Sequence, residues 1–95
     1  MRAFVIADVN ITNPARYPEY TSQVQATIEK FGGRFIARGG ATEVLEGAWK
    51  PHRIVLIEFP DMESLKKWYA SAEYAPLIKL RQAFSEGSLI AVQGT

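Results

Sequence analysis

Residues Arg2 to Ile11 alternate between small apolar side chains at odd positions (Ala3, Val5, Ala7, Val9, Ile11) and larger or polar ones at even positions (Phe4, Ile6, Asp8, Asn10). A period of two predicts a strand. The period then lengthens: Tyr20, Val24, Ile28 and Phe31 recur every three or four residues, which predicts a helix starting near Tyr17. Asn13-Pro14 caps its opening, Pro18 is tolerated in a first turn whose N–H groups lack helical partners, and Gly32-Gly33 supplies the left-handed stop.

Arg34 to Arg38 reads as a second strand, interrupted by Gly39-Gly40 before a short β segment at Thr42 to Leu45. Glu46-Gly47 turns the chain, Ala48 to Pro51 forms a loop, and His52 to Phe59 is the most strand-like run present. Asp61 is placed to cap a helix carrying Leu65, Trp68 and Tyr69, with Glu63 in the first turn, where the helix dipole favours an anion. Ser71 reads as a fresh cap for a helical piece carrying Tyr74, Leu77, Leu80, Arg81 and Phe84, with Pro76 in its opening turn. Gly87 ends that piece, and Leu89 to Val92 closes the chain as a strand.

This order is a ferredoxin-like βαββαβ sandwich of the α+β class, an antiparallel sheet with its helices on one face. The helix-facing set is expected to be Ala3, Val5, Ala7 and Val9, then Val55, Ile57 and Phe59, then Ile90 and Val92. The opposite face would present Phe4, Ile6, Ile36, Ile54, Leu56, Leu89 and Ala91. Such an apolar sheet face is abnormal for a monomer, and a second copy related by a two-fold axis is the simplest cover, giving a homodimer. Asp8, Asn10, Arg38, His52 and Glu58 are expected on that same face, and an apolar wall with a few convergent polar groups describes a small-ligand pocket.

Length and composition set the outer limits. Ninety-five residues make a single ferredoxin-like domain spanning residues 1–95, and 47% hydrophobic with 22% charged residues matches a packed globular chain. A formal net charge of +1, with no basic cluster longer than Lys66-Lys67, leaves no footprint for nucleic acid or anionic lipid. No cysteine is present, so thiolate chemistry and cysteine metal sites are excluded. Met1-Arg2 leads directly into a strand without signal-peptide features, and no stretch reaches membrane-span length, so the cytoplasm is the expected location.

Four stretches together carry a resemblance that covers essentially the whole chain: Gly32-Gly33-Arg34-Phe35-Ile36-Ala37-Arg38-Gly39-Gly40; Leu45-Glu46-Gly47-Ala48-Trp49-Lys50-Pro51-His52-Arg53; Ile57-Glu58-Phe59-Pro60; and Trp68-Tyr69-x-Ser71-x-Glu73-Tyr74 with Arg81. In these the chain resembles the bacterial domain-of-unknown-function family 1330. The resemblance implies the dimeric α+β barrel superfamily, in which two ferredoxin-like protomers pair their sheets around a shared interior. Relatives there include cofactor-free monooxygenases, muconolactone-type isomerases, chlorite-dismutase-like haem proteins and ligand-binding stress proteins. The family has no established reaction, so the resemblance informs fold more than chemistry.

Candidate chemistry is sparse. His52 is the one side chain that titrates near neutrality, a candidate acid, base or metal ligand, although a lone His beside Pro51 and Arg53 reads better as an ordinary polar residue. Asp8 and Glu58 become proton carriers if burial raises their pKa, or else pair with Arg38 in a structural network. Arg38, a planar fork of donors, suits a carboxylate, with Asn10 beside it as a further ligand contact. Zinc would need several His or Cys ligands, helices without His offer no haem ligand, and no cofactor is expected. Tyr17, Tyr20, Trp68 and Tyr69 sit at helical spacing and read as core, whereas Trp49 reads as a pocket lid or a dimer contact. The Gly pairs lack a phosphate-loop pattern and Ser85-Glu86-Gly87 is no nucleophile elbow. Two function classes follow: a module binding a small, largely apolar molecule with an anionic or carbonyl group, or a cofactor-independent isomerase, lyase or monooxygenase acting on such a compound.

Overall fold

A computed structural model describes every residue from Met1 to Thr95. Its elements run β1 (Ala3–Ile11), α1 (Pro18–Lys30), β2 (Arg34–Arg38), β3 (Ile54–Phe59), α2 (Met62–Tyr69), α3 (Ala75–Phe84) and β4 (Ser85–Gln93). The strands form one antiparallel sheet in the order β2-β3-β1-β4, with the helices on one side, which is the ferredoxin-like arrangement. No helix is long and apolar enough to cross a membrane.

The alternation in β1 divides its side chains as expected: Ala3, Val5, Ala7 and Val9 are buried beneath the helices, while Phe4, Ile6, Asp8 and Asn10 are half-buried on the open side. Small residues there let the large side chains of the helices approach. Trp68 of α2 is wholly buried, with its ring centroid 4.1 Å from that of Tyr74 and 5.4 Å from that of Phe59. Its indole N–H donates to Thr27 Oγ1 at 3.1 Å, so the polar end of the side chain is satisfied inside the core. Trp68→Ala would cost about 3–5 kcal/mol, the usual range for losing a fully buried tryptophan. Asp61 caps α2 by accepting from the Ser64 N–H at 2.7 Å, and Ser71 Oγ accepts from the Tyr74 N–H at 3.2 Å just ahead of α3.

Several expectations are corrected. Residues 42–45 form no strand; the chain from Gly39 to Arg53 is a long connection without regular structure, and β3 begins at Ile54 rather than His52. Gly87 does not end α3. It lies within β4 opposite Val9, where a Cβ would collide with the Asp8 carbonyl. Strand β4 starts directly after Phe84, and its pairing of Leu89 with Ala7 and Ala91 with Val5 turns Leu89 and Ala91 toward the helices. Ile90 and Val92 therefore point to the open face, 57% and 42% exposed, the reverse of the expected assignment. Leu89-Ile90-Ala91-Val92 is apolar at both parities, so alternation cannot choose a face there, and a shift of one residue exchanges the two sides.

Candidate functional site

Three arginines reach one cleft between the helices and the sheet. Val55, Ile57 and Phe59 set the helix-facing parity of β3, and Arg53, two residues before Val55, continues it. Its backbone is fixed on both sides: the Arg53 N–H donates to Asp8 Oδ1 at 3.3 Å and its carbonyl accepts from the Val9 N–H at 2.9 Å. The guanidinium lies over Gly39, whose φ of +67° suits glycine and whose missing side chain leaves the space; a Cβ there would stand 2.7 Å from Arg53 Cζ. Arg38 arrives from β2 because of a bulge. Phe35 pairs with Ile57 and Ala37 with Leu56, so Ile36 is the additional residue and Arg38 falls opposite Val55, on the helix side. There its guanidinium stacks 4.1 Å from the Phe35 ring centroid and donates to the Thr21 carbonyl at 3.0 Å. Arg81 enters from α3, seven residues after Tyr74 and four after Leu77, on the stripe that faces the core.

The cleft carries positive charge without local compensation. Arg2, Arg16 and Arg34 are all ion-paired, to Glu58, Glu19 and Glu58, whereas Arg38, Arg53 and Arg81 take part in no ion pair. No Asp, Glu or His lines the cleft. The Nε atoms of Arg53 and Arg81 are buried and find no hydrogen-bond partner within the protein. The remaining wall is apolar or phenolic, chiefly Val5, Val9, Val24, Val55, Leu89 and Trp68 with Tyr17, Tyr20 and Tyr74. An interior void of about 30 Å³, room for one or two waters, is lined by all three arginines. Tyr17, Thr21, Arg38 and Arg53 also line a solvent-open groove of about 430 Å³ at the start of α1, so the void and the groove share a mouth.

The tyrosines are hydrogen-bonding groups here and not bases. Tyr20 and Tyr74 share a hydrogen bond of 2.8 Å between their hydroxyls. Burial pushes the Tyr20 phenol far above its ordinary value, and the neighbouring Tyr74 pushes it further. Tyr74 is also raised by burial, with the Tyr20 hydrogen bond and the charge of Arg81 pulling the other way. Tyr17 is raised by burial and pulled back by the charges of Arg53, Arg81 and Arg38. At neutral pH all three stay protonated and able to donate.

The structure does not gather the five residues expected to share a pocket. Glu58 lies on the open face and is held by Arg2 at 3.1 Å and Arg34 at 3.5 Å, so Arg38 and Glu58 are on opposite faces of the sheet. The unforeseen bulge at Ile36 is the reason. Asp8 shares the open face with Glu58 but sits about 13 Å away along the ladder, four residues beyond the Phe4–Glu58 pair. Its carboxylate accepts from the N–H groups of His52 at 2.8 Å and Arg53 at 3.3 Å and from Trp49 Nε1 at 3.1 Å, and the hydrogen bond from the His52 backbone is the chief reason its pKa is lowered. The His52 imidazole is largely exposed, with Nδ1 3.9 Å from Asp8, and Asn10 stands half-buried opposite Glu86 with no side-chain hydrogen bond. Trp49 is therefore a clasp partner of Asp8. Arg53 and Arg81 are the residues that sequence reasoning passed over, and the signal was available: each is a charge at a core-facing position of its element's own period.

A two-layer α+β protein with the ferredoxin-like strand order, whose cavity lies inside the protomer behind the sheet, is the class that fold and site define. The chain belongs to the family described as Domain of unknown function (DUF1330), which residues 2–95 match. No curated protein matches it. Among solved structures it is similar to RPA0582, a protein of unknown function from Rhodopseudomonas palustris, at 19% identity and a TM-score of 0.78, covering 99% of this chain and 82% of that one. It is also similar to SnoaB, a cofactor-independent oxygenase from Streptomyces nogalater, at 14% identity and a TM-score of 0.68 over 99% and 93% of the two chains. HapK from Hahella chejuensis matches at 15% identity and a TM-score of 0.62 over 98% and 92%. These likenesses concern the fold.

Proposed function

We propose that the protein binds a small organic anion, with an apolar body, in the cleft between its helices and the sheet, and that it does so as a cytoplasmic homodimer. The observation that carries this reading is the division of the arginines: three are neutralised on the surface, and three converge on one cavity that holds no carboxylate. The guanidinium groups of Arg53 and Arg81 are partly withdrawn from water without a counter-charge, which costs free energy, and an anionic ligand restores the balance. The apolar wall supplies a body-binding surface and the arginines an end-binding one, the usual division of labour in a small-molecule site. Arg38 keeps the ligand-binding role expected of it, with Arg53 and Arg81 as its partners, while Asp8, Glu58, Asn10 and His52 belong to the other face.

A thermal-shift series tests this: aromatic and aliphatic carboxylates against the matching amides and alcohols. A ligand at a hundred times its dissociation constant stabilises by about 2.7 kcal/mol, a readily measured shift. Carboxylates are expected to raise Tm and amides to leave it; equal shifts from both would defeat the anion reading.

A second reading is favoured by the hydroxyl pair of Tyr20 and Tyr74 beside Arg81. Cationic and hydroxyl donors in a narrow, mainly apolar cleft are suited to stabilise a developing enolate or phenolate, the requirement of a cofactor-independent enzyme whose substrate is itself acidic. Likeness in fold to a cofactor-independent oxygenase is compatible with that class. With no His or carboxylate in the wall to take a proton, the reaction would depend on a substrate that ionises readily. Oxygen uptake with electron-rich phenols and β-dicarbonyl compounds is the corresponding assay, and its absence would leave binding without turnover.

A further inference from the structure

The cationic groups of the cleft stand at two separate stations. Arg38 and Arg53 line both the inner void and the outer groove, so they hold the mouth. Arg81 lines the void alone, at the inner end beside Tyr20 and Tyr74. Tyr17 lies between: its phenol is influenced by Arg53, Arg81 and Arg38, whereas Arg81 is the arginine that acts on Tyr20 and Tyr74. Each station has unused donors. At the mouth, Arg53 Nε has no partner in the protein and Arg38 spends one nitrogen on the Thr21 carbonyl. At the inner end, Arg81 Nε is likewise unpartnered, and the single hydrogen bond between the Tyr20 and Tyr74 hydroxyls uses one phenolic hydrogen and leaves the other. Neither station offers a carboxylate or imidazole acceptor. What complements both is a pair of oxygen acceptors on one molecule, separated by an apolar spacer.

We infer that the ligand of the cleft is bifunctional: a carboxylate engages Arg53 and Arg38 at the mouth, and a second oxygen function, carboxylate, phenolate or keto oxygen, engages Arg81 and the tyrosine pair inside. This rests on the anion-binding reading and specifies it. The void of about 30 Å³ admits an oxygen-bearing tip, while the body of the ligand lies toward the groove. Isothermal titration of the whole chain with matched probes tests the inference: benzoate against terephthalate and 4-acetylbenzoate, and hexanoate against adipate, in which the second oxygen function stands across an apolar spacer from the first. In each pair the bifunctional probe is expected to bind about ten- to a hundredfold more tightly, the yield of one added charge-assisted contact. Arg81→Met should erase that advantage, weakening the bifunctional probe more than the monoacid, whereas Arg53→Met should weaken both members alike. Equal affinities within every pair in the unaltered protein would overturn the two-station inference while leaving the anion site standing, and this comparison needs no variant to fold. Failure of every acid to bind would remove the anion reading itself, and the inference with it.

Discussion

A guanidinium withdrawn from water without a carboxylate trades stability for a later interaction. Replacing Arg53 or Arg81 by Met keeps the stem's packing and removes the charge, a change that in buried ionic sites is neutral or stabilising. Because both side chains are only half-buried, a gain of about 1 kcal/mol is expected, which in a domain of this size raises Tm by about 4–8 °C. Calorimetry of the ligand-free variants measures it, and a fall in Tm of similar size would mean that these arginines are kept for the fold. Tyr20 and Tyr74 give the opposite forecast. Tyr20→Phe strands the Tyr74 hydroxyl in a buried place and should cost about 1–3 kcal/mol, whereas Tyr20→Phe with Tyr74→Phe should recover much of the loss. Both phenols have raised pKa values in the folded state. Their protonated form is what folding favours, so stability is fully retained below the unfolded value of about 10 and declines as pH rises through it. Urea midpoints falling above pH 10 in the native protein, and falling less steeply in the doubly substituted one where Tyr17 remains, would verify the sign.

Between β2 and β3 the chain runs from Gly39 to Arg53 without regular structure, and one side chain of β1 holds its end. Asp8 accepts from two backbone N–H groups and the Trp49 indole, so Asp8→Ala should loosen residues 49–53 and speed tryptic cleavage after Arg53; an unchanged cleavage rate would show that the clasp is idle. The depressed pKa of Asp8 gives the pH dependence: the clasp is intact above the ordinary carboxylate value near 3.9 and releases as pH falls through the lower folded value, so no change is expected between pH 5 and 7. Elements whose apolar residues followed one period were legible from the sequence, as β1, α1 and β3 were from Ala3 to Val9, Tyr20 to Ile28 and Val55 to Phe59. Two local features were not. The bulge at Ile36 comes from how β2 meets β3, not from the composition of Arg34 to Arg38, and the parity of β4 is set by Ser85 following Phe84 without a loop. Each moves side chains by one residue, and one residue is enough to carry Arg38 from the face of Glu58 to the face of Tyr17. The candidate site was therefore legible in its chemistry, an arginine against an apolar wall, and misplaced in its location.

At the scale of the molecule, which measures 34 by 33 by 16 Å, helices cover one side of the sheet, and on the other the end of the Gly39–Arg53 connection touches it at Asp8. Phe4, Ile6, Ile54 and Leu56 are half-buried there and Ile90 and Val92 exposed, an apolar surface bounded by Glu58 with its arginines and by the Asp8 clasp. Two copies pairing these faces sheet to sheet would remove that apolar surface from water. Sedimentation at micromolar concentration is expected to give a dimer, and Leu56→Asp a monomer, since the substitution sets a charge among apolar side chains that offer it no partner. The same variant separates the two faces. A ligand site enclosed between two sheets would vanish with the dimer, but the arginine cleft lies behind the sheet, lined by β1, α1, α3 and the strand edges of one protomer. Monomeric Leu56→Asp protein should therefore bind carboxylates with the affinity of the dimer, and a loss of binding that accompanies dissociation would return the site to the space between the sheets.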